Sequence, residues 1–301
     1  MEFKDIFLGL KNPLKPPLMN GGGCVKTVEH VKEMSRSSTG AIVAGSFTVD
    51  ARDGNSGDVW WYENGVGLNS LGMPNGGGAY LFGNLKEMVT IAHDHGKALV
   101  VNIAGFTPDE YGHLAALCCL RGVDAVELNL GCPNIVKEGG GRKPIASYNV
   151  EFTHGVLIEV SMVVKNEFPV WVKFSPIFDS QLLLEQARIV SSYPMVKAVT
   201  AINTVPNAYA TDCRGKSHIT LGLAGLSGAP LKHIGLGQVL QWKNLLPDMP
   251  IIAVGGIKSG RDIADYAIVG ADAFQMTTHL LRKGKLDPQA IESVLLEYDE
   301  L

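Results

Sequence analysis

The 301-residue chain is 46% hydrophobic and 19% charged, the balance of a soluble globular protein with a large core. Its formal net charge is −4 and its 26 basic residues form no stripe, which speaks against a nucleic-acid partner. No apolar run reaches the roughly 18 residues of a membrane span, and Met1-Glu2-Phe3-Lys4-Asp5 opens without the apolar core of a signal peptide, so a cytoplasmic protein with no membrane partner is expected.

Five cysteines (Cys24, Cys118, Cys119, Cys132, Cys213) make an odd number without framework spacing, as expected of reduced thiols. No CxxC pair is present, so neither a zinc site nor a protein-bound iron–sulfur cluster is expected. Cys118 and Cys119 adjoin on a predicted helix, point in different directions, and read as packing residues.

Residues 17–20 form the first strand candidate, followed by Gly21-Gly22-Gly23 and a helix over 25–34. Three glycines between strand and helix let a backbone approach a ligand closely, and the helix start can face an anion. Residues 41–45 are the second strand. A polar stretch over 50–58 lacks oxygen ligands at alternate positions and has Trp61 where a closing Glu should stand, so it is not a calcium loop. Residues 60–75 continue this excursion, which is too long for a connector and is expected to cover a site.

Regular alternation follows. Helices are predicted over 85–95, 108–120, 150–166, 180–192, 231–246 and 262–269, with the last helix containing 291–297. Strands are predicted over 98–104, 124–130, 170–174, 196–203, 250–254 and 273–276, and a second long loop over 204–230. His93-Asp94-His95 closes a helix before Gly96, where cationic side chains meet the negative end of the dipole; no metal is expected there. Eight apolar, β-branched strands, nearly every pair separated by a helix, predict one (β/α)8 TIM barrel spanning 1–301. A doubly wound sheet would be expected to carry GxGxxG after its first strand, and Gly21-Gly22-Gly23-Cys24 does not.

In such a barrel the functional residues gather at the C-terminal strand ends. Asn102, Asn129, Cys132, Asn134, Lys173, Asn203, Thr204, Gly255 and Gly256 all fall there or one turn later. Asparagines suit a planar ring bearing amides and carbonyls. Lys173 is costly in a barrel mouth unless it meets negative charge, from a reduced flavin or a phosphate. Gly255-Gly256 followed by the helix start at Ser259-Gly260 suits a phosphate.

Asn129-Leu130-Gly131-Cys132-Pro133-Asn134, Val172-Lys173, Ile202-Asn203-Thr204, Gly225-Leu226-Ser227-Gly228 and Val254-Gly255-Gly256-Ile257 resemble the dihydroorotate dehydrogenases, and more closely their soluble, class 1 branch with a cysteine base. The resemblance runs from about residue 18 to 280. It implies an FMN-dependent enzyme that oxidises dihydroorotate to orotate in pyrimidine biosynthesis. Cys132 would be the base and Lys173 a second catalytic residue. Asn69, Leu71, Gly72 and Met73, in a segment similar to that family's substrate loop, would bind the small-molecule substrate with Asn129, Asn134, Asn203 and Thr204. Gly21, Gly22, Gly23, Gly45, Ser46, Asn102, Asn129, Lys173, Asn203, Gly228, Gly255, Gly256, Thr277 and Thr278 would line FMN. The resemblance also implies a homodimer and admits an electron-transfer partner subunit, with fumarate, quinone or NAD as acceptor; with no N-terminal anchor visible, quinone is the least expected.

Three positions depart from the family pattern. Val43-Ala44-Gly45-Ser46 has Gly45 where a lysine contacting flavin and orotate is expected, with His233 and Arg214 as candidate replacements. Gly21-Gly22-Gly23 replaces Ala-Ser-Gly, and Met276-Thr277-Thr278 replaces a turn containing Gly-Thr. An FMN oxidoreductase acting on another cyclic ene-amide or dihydropyrimidine, and a non-catalytic barrel binding a phosphorylated metabolite, are the alternatives.

Overall fold

A computed structural model describes residues 5–135, 142–282 and 284–301. Residues 1–4, part of the stretch inspected for a leader, lie outside it. In chain order the strands that matter are β1 (Leu18–Asn20), β2 (Ala41–Phe47), β3 (Trp60–Glu63), β4 (Val66–Asn69), β5 (Ala98–Ile103), β6 (Ala125–Asn129), β7 (Val170–Phe174), β8 (Val196–Ala201), β9 (Val205–Ala208), β10 (Ala224–Gly228), β11 (Ile251–Val254) and β12 (Ala273–Met276). The helices are α1 (Val28–Ser35), α2 (Gly77–Asp94), α3 (Pro108–Leu120), α4 (Val150–Val163), α5 (Ser180–Ser191), α6 (Leu231–Leu245), α7 (Gly260–Ile268) and α8 (Gln289–Asp299).

Eight parallel strands run in the order β1-β12-β11-β8-β7-β6-β5-β2. The carboxamide of Asn20 spans the remaining β1–β2 seam. Its Nδ2 donates to the Val43 carbonyl at 2.7 Å and its Oδ1 accepts from the Val43 amide at 3.0 Å. The fold is the expected (β/α)8 barrel. Helix starts are set locally: Thr27, Asn149, Asp179 and Ser259 each cap a helix by accepting a backbone N–H. Helix α2 begins eight residues before its predicted start, because Gly76-Gly77-Gly78 conceals the first turn from propensity.

Both long excursions differ from the loops predicted for them. Residues from 60–69 and 205–228 pair into a four-stranded antiparallel sheet, β3-β4-β10-β9, that covers the C-terminal mouth. Each strand has only four or five residues, and β4 and β10 carry glycines at Gly67, Gly225 and Gly228, so neither reads as a strand alone.

Strand alternation builds the interior in layers. Val43, Val100, Ala125, Trp171, Ala198, Ile252 and Ala273 point inward and pack on Leu8, Leu10 and Leu14, which plug the bottom. Trp171 Nε1 donates to the Leu8 carbonyl at 3.0 Å. Two residues further along each strand stand Gly45, Asn102, Glu127, Lys173, Thr200 and Gln275, with Val254 ending β11. The apolar floor therefore gives way to a polar layer directly beneath the mouth.

Candidate active site

Glu127 anchors the polar layer. It is fully buried and accepts from Asn102 Nδ2 at 2.6 Å, Thr200 Oγ1 at 2.9 Å and Gln275 Nε2 at 2.6 Å. Lys173, only 5% exposed, donates to Gln275 Oε1 at 2.9 Å and holds its Nζ 3.9 Å from Glu127. The negative charge that Lys173 needs is thus supplied in part by the protein itself. Glu127 went unread in the sequence; its signal was a lone carboxylate at inward parity within the apolar strand Ala125–Asn129.

Above this layer the asparagines form two hydrogen-bonded groups. Asn129 Nδ2 donates to Ser46 Oγ at 2.9 Å, and Asn203 Nδ2 donates to Asn129 Oδ1 at 3.1 Å. Asn134 Nδ2 donates to the Asn69 carbonyl at 2.8 Å and its Oδ1 at 3.1 Å, tying the cover to the barrel. Asn55 completes that tie by donating to the carbonyls of Ser70 (2.7 Å) and Asn134 (2.9 Å). Asn134 Oδ1, Thr204 Oγ1 and Ser227 Oγ border the cavity, buried without a partner among the described residues. Such groups are costly unless a ligand or water satisfies them.

Cys132 sits where β6 has ended and Pro133 stops the chain from extending. Its thiol packs with Phe106 against Met73, Ala104 and Ile135. Desolvation pushes the thiol above its ordinary pKa, while the Asn134 N–H and the charges of Lys26 and Arg52 pull it back. Arg52 is held by its Nε–H bond to the Gly72 carbonyl at 3.1 Å, with its guanidinium 4.9 Å from the Phe106 ring centroid.

The opposite end of the cavity is made of backbone. Gly228, Gly255 and Gly256 adopt φ of +82°, +138° and +71°, conformations that L side chains rarely take. Among the described residues no protein acceptor takes the amides of Gly256, Thr277 and Thr278. Glycines and uncommitted N–H groups next to the start of α7 form a cradle suited to a phosphate.

One cavity brings together Gly22, Gly23, Ser46, Asn69, Leu71, Gly72, Met73, Asn129, Cys132, Asn134, Lys173, Asn203, Thr204, Gly228, Gly255, Gly256, Thr277 and Thr278. Three expected residues stand behind its wall instead. The amide of Gly21 is spent on the Met276 carbonyl, and its Cα faces Thr277. Asn102 turns its Nδ2 down to Glu127. Gly45 lies against the Asn102 carbonyl, which a Cβ would meet at 2.1 Å. The candidate replacements for a lysine at 45 do not reach the cavity either: His233 is exposed on α6 and Arg214 is exposed in the loop after β9. Lys26, Lys258 and Gln275 also line it and were not read from sequence, while Trp60 and Tyr62 line it from the excursion expected to cover a site.

Elsewhere, His93 Nε2 lies 2.8 Å from Asp124 Oδ2 at the end of α2, and Cys118 is buried in packing as expected.

The sequence profile described as Dihydroorotate dehydrogenase matches residues 7–298. The chain belongs to the dihydroorotate dehydrogenase family. It is 31% identical to "Dihydroorotate dehydrogenase (fumarate)" of Trypanosoma cruzi, over 93% of this chain and 88% of that protein. It is 30% identical to "Dihydroorotate dehydrogenase B (NAD(+)), catalytic subunit" of Staphylococcus carnosus, over 96% and 90%. A crystal structure of an Eimeria tenella dihydroorotate dehydrogenase in complex with ferulenol superposes with a TM-score of 0.76 at 19% identity, covering 93% of this chain and 80% of that one, which supports the shared fold. Membership places the chain among flavin-dependent dehydrogenases acting on a CH–CH group, as its motifs suggested. Among the described residues no helix is long and apolar enough to cross a membrane.

Proposed function

We propose that this protein oxidises dihydroorotate to orotate with FMN as its cofactor and Cys132 as the base. The observation that carries the proposal is the placing of one thiol, Cys132, beside four asparagines on the lip of a cavity whose far end is a phosphate cradle. The residues present fit FMN. Lys173 and the polar atoms of the barrel layer face the place of an electron-poor ring, and Gly255, Gly256, Thr277 and Thr278 would hold the phosphate. FMN, when bound, supplies a two-electron acceptor for the hydride that leaves carbon 6 of the substrate.

The protein's own work is binding, orientation and one proton transfer. Asn69, Asn129, Asn134 and Asn203 offer amide groups to the edge of a pyrimidine ring, already oriented by their bonds to one another. Cys132 Sγ, as thiolate, takes the proton from carbon 5. Lys26 and Arg52 favour that thiolate, and the apolar wall of Met73, Phe106 and Ile135 keeps water from it. The sheet of β3, β4, β9 and β10 closes over the mouth and contributes Asn69, Thr204 and Ser227 at its edges. Leu71, Gly72 and Met73 follow directly from β4, with Gly72 and Met73 at φ of +72° and +59°, so their backbone borders the substrate space.

A second reading, a dehydrogenase of an uncharged dihydropyrimidine, is favoured by Gly45, which puts no cation into the mouth from β2.

The deciding experiment mixes FMN-loaded protein anaerobically with dihydroorotate. Bleaching of the flavin absorbance supports the proposal. No bleaching by dihydroorotate, with bleaching by dihydrouracil, would replace it with the second reading. Relatives are named with both fumarate and NAD(+), so turnover is assayed with each.

A further inference from the structure

Lys26 is a cation at the mouth for which the described residues supply no anion. It lines the cavity, and its Nζ donates to the Pro74 carbonyl at 2.7 Å. Among the described residues no carboxylate comes within ion-pair distance of it, unlike Lys173, which has Glu127, and Lys232, which has Asp262 and Asp265. An ammonium has three donors, and one bond to a carbonyl leaves two of them unspent. Burial holds its pKa below the ordinary lysine value, the response of a charge drawn partly out of water.

Its position follows from the backbone. Residues 23–25 lie along the end of β2: Gly23 N–H donates to the Gly45 carbonyl at 2.6 Å, and Gly45 N–H donates to the Val25 carbonyl at 2.8 Å. Val25 and Ala44 form a parallel bridge. Position 45 points inward by strand alternation, yet no side chain can leave it, since the Asn102 carbonyl fills that space. Lys26 issues from the segment bonded to Gly45 and reaches across to Pro74, directly after Leu71, Gly72 and Met73. It influences Cys132 on one side, so its charge is felt where the reacting ring would lie. Of the other cations nearby, Arg52 is committed to Gly72 and to the face of Phe106, Lys143 donates to the Phe106 carbonyl at 2.9 Å and lies over the same ring, and Lys258 lines the cavity beside Gly256 and Ile257.

We infer that Lys26 binds the carboxylate of the substrate and selects a carboxylated dihydropyrimidine over its uncharged counterpart. The inference rests on the activity proposed above. A half-buried cation with spare donors gains most from a ligand that brings its own negative charge, because the attraction within the pair offsets the desolvation cost of both groups. An uncharged ring would leave the ammonium as it is.

The test uses FMN-loaded protein and ligand binding read from perturbation of the flavin spectrum, with orotate and uracil as probes. Lys26→Met is expected to weaken orotate about 10- to 100-fold, the scale of a lost charge-assisted hydrogen bond, and to leave uracil unchanged. Lys26→Arg should recover much of the orotate affinity. Melting temperature and flavin content report folding, and Lys26→Gln serves if the Met variant does not fold. Unchanged orotate affinity, or equal loss of orotate and uracil, overturns the inference while bleaching of the wild type by dihydroorotate leaves the proposed activity standing. A wild type that dihydroorotate does not bleach overturns both.

Discussion

Gly45→Ala adds one methyl group where the barrel has no room for it. The new Cβ would stand 2.1 Å from the Asn102 carbonyl oxygen and 3.1 Å from both the Asn102 carbonyl carbon and the Phe47 nitrogen. These are backbone atoms of adjacent, paired strands, so no rotamer change relieves the overlap. The residue also holds φ at +125°, where a side chain costs roughly 1–3 kcal/mol. Forcing an extra carbon into a close-packed interior costs about 1–3 kcal/mol more. Together these come to about 2–6 kcal/mol, a large share of the roughly 5–15 kcal/mol that hold a domain folded. Urea unfolding followed by tryptophan fluorescence, at equal and saturating FMN, measures the loss. Gly45→Lys meets the same obstacle at its Cβ, so it should lower stability at least as far and not strengthen orotate binding. A Gly45→Ala protein within about 0.5 kcal/mol of wild type, the scatter of harmless surface changes, would refute the steric argument. It would also reopen position 45 as a route for a side chain into the mouth.

Cys132→Ser should keep bound FMN and lose about 10²- to 10⁴-fold in turnover, the usual worth of a general base. Since thiolate is the active form, wild-type turnover should fall as pH drops through the Cys132 pKa, and burial places that limb above the ordinary thiol value. The serine variant should lack the limb; the same limb in both proteins would assign it to another group. Lys173→Met removes the donor to Gln275 and the cation nearest Glu127. FMN affinity, titrated by quenching of its fluorescence, should fall at least tenfold, about 1.4 kcal/mol, and an unchanged Kd would remove Lys173 from the flavin site. The variant should still fold, because Glu127 keeps its three hydrogen bonds from Asn102, Thr200 and Gln275.

The sequence by itself determined the barrel and the principal line of its chemistry. Eight apolar strands spaced by helices fold as one architecture because strand period and helix period are local properties, readable without partners. Strand ends then follow, and with them Asn129, Cys132, Lys173 and Asn203. Only the tertiary structure decided what lay between distant segments. The covering sheet of β3, β4, β9 and β10 joins residues more than 130 positions apart in strands too short and glycine-rich to show a period. Glu127 became the partner of Lys173 only when β6, β7 and β12 placed their inward residues in one layer. The departure at Gly45 reads in sequence as a missing charge. In the fold, the Asn102 carbonyl occupies its side-chain space and Lys26 enters beside it, a relation set by how residues 23–25 lie against β2. Non-local packing of this kind leaves no periodic trace in either segment, which is why the cation at the mouth had to be found in three dimensions.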